Sequence, residues 1–302
     1  MIKSLIIGGL ALGLLSWILS ACSGRTSTSE SSQRRKVMVS IPPQQFFIDN
    51  IAGDRVEVKC LVNVSADPET FEPSVTQLKD LATVDAYLPI GTLPFEHKLV
   101  EIAKKNGGEV YCMSEDIALL YGTHSHRHHD VDGEHGHEHG APDPHVWSSA
   151  RNAKTMALNA LNALVAVDAA NEDIYRANYA RLDQRLDSID MAFKRCFETY
   201  PQGAAFLVWH PSLSYFARDY GLNQISLNQE GKETSVNGYI KQLERAKSSD
   251  AVAFFIQQDF DTSRARSMAS DAGITLTEIN PMNAEWEDEM QKLYDAFTIN
   301  KH

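Results

Sequence analysis

The chain has 302 residues, of which 43% are hydrophobic and 23% are charged. Acidic side chains outnumber basic ones, 40 Asp and Glu against 28 Lys and Arg, so the formal net charge is −12. Nucleic-acid binding relies on a basic surface, and this charge therefore excludes a nucleic acid as the expected partner. An acidic surface attracts metal cations, but only weakly and without specificity.

The N-terminus has the pattern of a secretory signal. Lys3 precedes a short apolar run, and the small residues Leu-Ser-Ala-Cys follow at 19–22. A short apolar core that ends in small residues is typical of a signal peptide rather than of a membrane span. The tetrapeptide also resembles a bacterial lipobox. We therefore predict a lipoprotein signal peptide at 1–21 and a lipid anchor on Cys22 that tethers a soluble body to a membrane.

Residues 22–35 are rich in Ser and Thr and show no apolar period, which is typical of a flexible tether. The roughly 265 residues that follow are enough for two domains or for one large domain. We divide them into an N-terminal lobe at 36–147, a helical connection at 148–200 and a C-terminal lobe at 201–302.

Three cysteines remain after Cys22, and none has C-x-x-C spacing. An odd number of cysteines cannot pair completely. We expect Cys60, Cys112 and Cys196 to be small buried hydrophobes. Export from the cytoplasm nevertheless permits a disulfide between Cys60 and Cys112.

Strand-like and helix-like patterns alternate through the N-terminal lobe. Ser74 begins the sequence S-V-T-Q, a capping-box pattern that predicts the start of a helix. This alternation indicates an α/β lobe with a mostly parallel sheet. The predicted strands are 36–41, 56–62, 86–90 and 110–113, and the predicted helices are the one that follows Ser74 and 95–105.

The segment 123–140 is dense in histidine. Neutral imidazole binds borderline metals, but this spacing defines no single geometry. We predict an auxiliary metal loop of moderate affinity that prefers zinc, copper or nickel over calcium or magnesium. The alternative is a solvated low-complexity loop with no metal role. The segment holds seven of the eleven histidines of the chain, His124, His126, His128, His129, His135, His137 and His139.

From Ser148 to Tyr200 the chain contains no Gly or Pro. Apolar residues spaced three or four apart form one stripe, which predicts a long helix at 171–199. At about 1.5 Å per residue this helix would reach about 43 Å, long enough to bridge two lobes. The residues of the stripe are Tyr175, Tyr179, Leu182, Leu186, Ile189, Phe193 and Phe197.

The alternation of strands and helices resumes after the Pro-Gln-Gly sequence at 201–203. The predicted fold class is therefore α/β, with two βα lobes that have mostly parallel sheets and are bridged by one long helix. The predicted strands of the second lobe are 205–208, 223–227, 252–256 and 274–279, and its predicted helices are 213–220, 236–247, 262–272 and 284–297.

Four residues with possible ligand atoms follow predicted strands, and two come from each lobe: Glu69, His145, His210 and Asn280. Ligands of open α/β sheets bind beyond the carboxyl ends of the strands, so this placement predicts a metal site in the cleft between the lobes. A lone histidine is usually structural, but His145 and His210 each lie beside proline at a strand–helix junction. Glu72 is an alternative to Glu69, and the neutral amide of Asn280 is a poor ligand.

Five segments, in this order, closely resemble the solute-binding proteins of bacterial zinc and manganese ABC transporters, the ZnuA/TroA-like family. The resemblance extends from about Val37 to the end of the chain, and DPHVW and FARDYGL are its most specific parts. It implies two α/β lobes bridged by a rigid helix, a metal in the cleft, and a histidine-rich loop in the zinc-selective branch. The segments are DPETFEPSVTQL, APDPHVWSSARNA, VWHPSLSYFARDYGL, QEGKETS and INPMNAEW.

The resemblance also implies a ligand set. His145 matches the histidine of the D-P-H-x-W motif, and His210 matches the histidine before the helix that holds F-A-x-x-Y-G-L. The family usually has histidine where this chain has Glu69, and it often has aspartate where this chain has Asn280. The first ligand is thus changed and the last is neutral.

Two imidazoles and one carboxylate are a set that zinc accepts, with water, Asn280 or Glu72 as the fourth ligand. The carboxylate makes the site harder and moves its preference toward manganese or iron(II), whereas the histidine-rich segment favours zinc. We expect zinc, with manganese or iron(II) as the alternative.

The expected function is capture of this metal outside the cytoplasmic membrane and delivery to the permease and ATPase of an ABC importer. We expect a monomer, and a periplasmic or cell-surface lipoprotein anchored through Cys22. A zinc hydrolase is disfavoured, because the sequence has no H-E-x-x-H motif and no evident general base, so we predict that the protein is not an enzyme. A metal-dependent adhesin remains open as an alternative.

Overall fold

The computed structural model describes residues 34–121, 140–227, 236–257 and 262–299. The predicted signal peptide, the predicted anchor Cys22, nearly all of the predicted tether and the seven histidines at 124–139 lie outside the described residues. The described residues belong to one compact unit. In this part of the chain no helix is both long and apolar enough to cross a membrane.

The N-terminal lobe is built on a sheet of four parallel strands in the order β2-β1-β3-β4. Helices connect successive strands, as a parallel sheet requires. The elements are β1 Arg35–Val39, α1 Pro42–Ala52, β2 Val56–Cys60, α2 Val75–Leu81, β3 Ala86–Leu88, α3 Glu96–Lys105 and β4 Glu109–Val110.

The C-terminal lobe repeats this architecture with a second sheet of four parallel strands, in the order β6-β5-β7-β8. In both sheets the first strand of the lobe lies between two other strands, so the loops that follow β1 and β5 lie near the middle of the carboxyl edge of each sheet. The elements are β5 Ala205–Val208, α6 Ser214–Tyr220, β6 Asn223–Ser226, α7 Val236–Ser248, β7 Phe254–Gln257, α8 Thr262–Ala272, β8 Leu276–Ile279 and α9 Trp286–Ile299.

Two helices connect the lobes: α4 Ala150–Val167 and α5 Glu172–Phe197. Helix α5 has 26 residues, so it is about 39 Å long. It packs against α4 and α1 on the N-terminal side and against α9 and α6 on the C-terminal side. The predicted fold class, two βα lobes with parallel sheets bridged by one long helix, is therefore confirmed.

The hydrophobic core continues from one lobe to the other. One cluster of buried side chains contains residues of β1 and β3, of α4 and α5, and of β5 and α9. Phe193 and Phe197 of α5 contribute to an aromatic group in which Phe197 and Phe297 have ring centroids 4.9 Å apart. A smaller cluster, which includes Phe254 and Met268, lies under α8 in the second lobe.

Helix α1 is an element that the sequence pattern does not predict, because Pro42 and Pro43 are interpreted there as the end of a strand. Proline is tolerated in the first turn of a helix, where its missing N–H has no intrahelical partner to lose. The Gln44 side-chain oxygen accepts hydrogen bonds from the N–H groups of Ser40 at 2.8 Å and Ile41 at 3.0 Å. This capping allows the helix to start directly after β1.

The predicted start of α2 is confirmed in atomic detail. The Gln77 N–H donates to the Ser74 hydroxyl at 3.3 Å, and the Ser74 N–H donates to the Gln77 side-chain oxygen at 2.9 Å. The two hydrogen bonds satisfy donors at the helix end that would otherwise lack partners. Helix α2 therefore begins at a defined residue and closes the loop that contains Glu69.

All three cysteines within the described ranges are free thiols, so the disulfide that export would permit between Cys60 and Cys112 is not formed. Cys196 is buried, and the other two are partly buried. Burial raises the pKa of the Cys60 thiol to about 12, although hydrogen bonds with the backbone of Val62 and Leu61 oppose the shift. Cys60 is therefore protonated and unreactive at neutral pH.

Candidate metal centre

The four predicted site residues lie at the carboxyl edges of the two sheets. Glu69 lies in the loop between β2 and α2, and His145 immediately precedes a 3-10 turn at Val146–Ser148. One residue, Trp209, separates His210 from the end of β5, and Asn280 follows β8 directly. Each lobe thus contributes two of these residues to one cleft.

Three of them converge. The Glu69 Oε1 atom is 3.3 Å from His210 Nε2 and 3.5 Å from His145 Nε2. The two Nε2 atoms are 3.3 Å apart. One ligand atom from each residue lies within 4.8 Å of the others. Among the described histidines, cysteines and carboxylates this is the group that can share one cation, and the exposed Glu72 is not part of it.

Asp143 orients the His145 ring. Its Oδ1 atom accepts a hydrogen bond from the His145 N–H at 2.9 Å and lies 2.9 Å from His145 Nδ1. Because the Asp143 carboxylate can only accept a hydrogen bond, Nδ1 of His145 holds the proton that it donates to Asp143. The lone pair of Nε2 then faces Glu69 and His210. A carboxylate behind a ligating imidazole fixes its tautomer and increases its basicity.

Burial and charge oppose each other at this pair. Burial by itself lowers the pKa of the His145 imidazole, but the hydrogen bond and negative charge of Asp143, with the charge of Glu69, outweigh burial and raise the pKa. Burial raises the pKa of Asp143, yet the hydrogen bonds with His145 and the positive charge of its ring together outweigh burial, and the pKa is lowered. Asp143 is thus ionised at neutral pH and attracts positive charge to the ring.

Glu69 is held by its own loop. The Asp67 carboxylate accepts hydrogen bonds from the Glu69 N–H at 2.9 Å and from the Thr70 hydroxyl at 3.0 Å. The negative charge of Asp67 also acts on His145, whose pKa it helps to raise. This compact turn directs the Glu69 side chain into the cleft and brings a second carboxylate near the site.

Asn280, the fourth predicted site residue, takes part in a turn of its own. Its Oδ1 atom accepts a hydrogen bond from the Met282 N–H at 3.0 Å. The Asn280 N–H donates to the carboxylate of Glu289, a buried residue of α9, at 2.8 Å. The Asn280 oxygen is therefore already engaged, and its other terminal atom, Nδ2, is a hydrogen-bond donor without affinity for cations.

Two tryptophans connect the lobes beside the ligands. The Trp147 indole N–H donates to the Pro281 carbonyl at 2.8 Å, and the Trp286 indole N–H donates to the Trp147 carbonyl at 2.7 Å. Both rings are almost fully buried. The pair ties the turn that contains His145 to the turn that contains Asn280.

Cavities lie on both sides of the ligand group. One of about 70 Å³ is lined by the prolines near His145, including Pro94, Pro142 and Pro211. The other, of about 240 Å³, extends between Glu69, His210 and Asn280 and includes Asp67 and Gln257 in its wall. The group formed by Glu69, His145 and His210 thus borders both cavities.

The structure adds three residues to the site that the sequence analysis does not single out. Asp143 has a signal in the sequence, because it precedes His145 by two residues in D-P-H. Gln257 is the last residue of β7 and directly follows the predicted strand 252–256, so the strand-end argument could have included it. Glu289 has no such signal, since it lies within a helix and reaches the site only through folding.

The fold and the site define a two-lobed α/β protein with a group of side chains in its cleft that could hold a metal ion. The family model described as zinc-uptake complex component A, periplasmic (ZnuA), matches residues 37–299. The chain belongs to this family, as the resemblance of its motifs predicts.

Relatives and solved structures agree with this membership. The zinc-binding protein AdcA of Streptococcus pyogenes is 25% identical over 284 residues, 87% of this chain and 53% of AdcA, so the chain spans about half the length of that relative. The manganese ABC transporter substrate-binding lipoprotein PsaA of Streptococcus pneumoniae is 26% identical over 271 residues, 85% of this chain and 83% of PsaA. The crystal structure of ZnuA superposes with a TM-score of 0.74 at 30% identity and covers 88% of this chain and 98% of ZnuA.

Proposed function

We propose that this protein captures a divalent transition metal outside the cytoplasmic membrane and delivers it to the permease of an ABC importer. The observation that supports this most directly is the convergence of Glu69, His145 and His210 from opposite lobes on one point. A cation bound there would join the lobes. Binding and release need no nucleophile or general base, so the proposed activity is transport and not catalysis.

We propose Glu69, His145 and His210 as the metal ligands and zinc as the metal. Two imidazoles with one carboxylate form a three-ligand set that zinc binds with an open fourth position. Manganese or iron(II) is the alternative, because a carboxylate makes the site harder. The relatives point both ways, since AdcA is named for zinc and PsaA for manganese.

The proposed partners are a permease and an ATPase, and the proposed location is the periplasm or the cell surface, with a membrane anchor through a lipid on Cys22. PsaA is named as a lipoprotein of an ABC transporter, which supports both proposals. We propose that the protein acts as a monomer, because its cleft is completed by its own two lobes.

The decisive experiment measures which metal the protein holds and through which carboxylate. We expect elemental analysis of protein purified without added metal to find zinc, and Glu69→Gln to lower the zinc affinity at least about 10-fold through loss of the anionic ligand. Glu72→Gln is the matched control, because Glu72 lies three residues away in the same loop and is exposed. Equal losses in both variants would refute the ligand assignment, and manganese in the purified protein would refute the choice of zinc.

A further inference from the structure

The proposed ligand set leaves part of the metal uncoordinated on the side of Asn280. The Asn280 oxygen accepts the Met282 N–H, and sharing its second lone pair with a cation would weaken that hydrogen bond. The Glu289 carboxylate holds the backbone of the same turn. A cation bound by Glu69, His145 and His210 therefore has a coordination position on this side that a ligand from outside the chain can take.

The space on that side is larger than one water needs. The cavity beside Glu69, His210 and Asn280 has a volume of about 240 Å³. A single water needs only roughly 10–15 Å³ measured in this way. The wall offers polar side chains at Asp67 and Gln257 in addition to Asn280. Such a cavity has the size and the hydrogen-bonding groups for a small organic molecule.

We infer that this cavity binds a small amino-acid chelator that completes the coordination of the cargo metal, and we take free histidine, whose imidazole can form hydrogen bonds with the amides of the wall, as the ligand to test. The inference rests on the proposed function, because the chelator is held by the metal. Its carboxylate and its deprotonated amine, whose proton passes to solvent, would bind the metal through adjacent donor atoms. Gln257 and Asn280 supply amide groups for its remaining polar atoms.

The charge of the site selects this class of chelator. A divalent cation with Glu69 leaves a formal charge of +1, which one amino-acid carboxylate neutralises, and the negative charges of Asp143 and Asp67 nearby make further negative charge unfavourable. A polycarboxylate such as citrate would bring additional negative charge next to Asp67, and uncompensated like charges in a partly buried site are unfavourable. The cavity is therefore expected to accept a metal–histidine complex and to reject a metal–citrate complex.

The test is equilibrium dialysis of the full chain with zinc and isotopically labelled L-histidine, with citrate as the comparison ligand. His145→Ala supplies the background, because it keeps every histidine outside the cleft. We expect the wild-type chain to retain one additional zinc and one additional histidine over this background, no histidine without zinc, and no labelled citrate.

A second variant is expected to have opposite effects on the binding of zinc and on the retention of histidine. Asn280→Asp keeps the size of the side chain and offers a carboxylate oxygen where the amide nitrogen was. We expect it to raise the zinc affinity measured without amino acid by about 10-fold and to reduce histidine retention by at least about the same factor. Asn106→Asp, at the exposed end of α3, is the control for the added charge.

The outcomes separate the two proposals. If, with zinc and histidine both present, the wild-type chain retains the additional zinc but no additional histidine, or if His145→Ala retains as much histidine as the wild-type chain, the chelator inference is overturned and the proposed function stands. If the wild-type chain retains no more zinc than His145→Ala, both are overturned.

Discussion

At the scale of single residues, the three proposed ligands differ in how deeply their side chains are buried. His145 has a side chain only 7% exposed and is oriented by Asp143, whereas Glu69 and His210 are 19% and 24% exposed. A buried, oriented imidazole loses little freedom when it binds a metal. We therefore propose that His145 is the most strongly preorganised of the three ligands.

Replacing His145 by alanine removes this ligand and leaves Asp143 without its partner. We expect the zinc affinity of the cleft site to fall by about 100-fold or more, since changes to supporting residues alone cost 10–100-fold. Competition with a chromophoric chelator measures this affinity. His97→Ala, which changes an exposed histidine of α3, is the control and should leave it unaltered. An unchanged affinity in His145→Ala would remove this residue from the ligand set.

Replacing Asp143 by asparagine tests whether this carboxylate, through its hydrogen bond with His145 Nδ1, contributes to metal binding. Asparagine retains the shape but loses the charge that keeps a proton on His145 Nδ1, so we expect zinc binding about 10–100-fold weaker. The same competition assay applies, with the exposed Asp116→Asn as the matched control. If Asp143→Asn binds zinc as tightly as the wild-type chain, the tautomer of His145 is set by something else.

At the scale of secondary-structure elements, α5 is the component shared by both lobes. Its buried face includes Leu182 and Leu186 near the middle and Phe193 and Phe197 toward the C-terminal lobe. The apolar stripe predicted from the sequence is the face that the structure buries, except where Tyr179 and Ile189 remain partly exposed. The distance between the lobes thus depends on how this face is packed.

Shortening a side chain of this face should destabilise the protein. Leu186 is fully buried in the core, and Leu186→Ala is expected to reduce the free energy of unfolding by about 2–5 kcal/mol through lost burial and a residual cavity. Denaturant unfolding of metal-free protein measures the change. Met191→Ala, at an exposed position of the same helix, should stay within about 0.5 kcal/mol of the wild-type chain. Equal effects in the two variants would mean that this face of α5 is not the packed one.

At the scale of the whole molecule, the residues that flank the histidine-rich segment contact each other directly. Tyr121 and Pro142 form an antiparallel bridge, and the Asp143 N–H donates to the Leu120 carbonyl at 2.7 Å. The Tyr215 hydroxyl of α6 accepts the Leu120 N–H at 3.2 Å and donates to the Asp143 carbonyl at 2.8 Å. These contacts hold the approach to His145 without any residue of 123–139.

Deleting residues 123–140 should therefore separate two kinds of metal binding. We expect the number of zinc ions bound per chain to fall, because seven histidines are lost, while one tight site remains in the cleft. Equilibrium dialysis with elemental analysis gives the stoichiometry, and chelator competition gives the affinity of the remaining site. Loss of all tight binding would show that the segment contributes ligands to the cleft itself.

The class of fold and most elements follow from the sequence because their causes are local. Alternation of strand and helix patterns predicts both parallel sheets, and the apolar stripe from Tyr175 to Phe197 predicts α5. Helix α1 is missed because a pair of prolines is compatible with either the end of a strand or the start of a helix. The Gln44 cap that decides between them depends on side-chain geometry.

What the sequence by itself determined is the inventory: the family, the two lobes, and the histidines and carboxylate that follow strands, all of which depend on residue type and order. Only the tertiary structure decided that Glu69 rather than Glu72 faces His145 and His210, that Asp143 supports His145, and that the Asn280 oxygen is engaged by Met282. The physical reason is that metal coordination and hydrogen bonding depend on distances of a few ångströms between atoms far apart in the chain. Such distances are set by the packing of the two lobes, and residue order alone does not contain them.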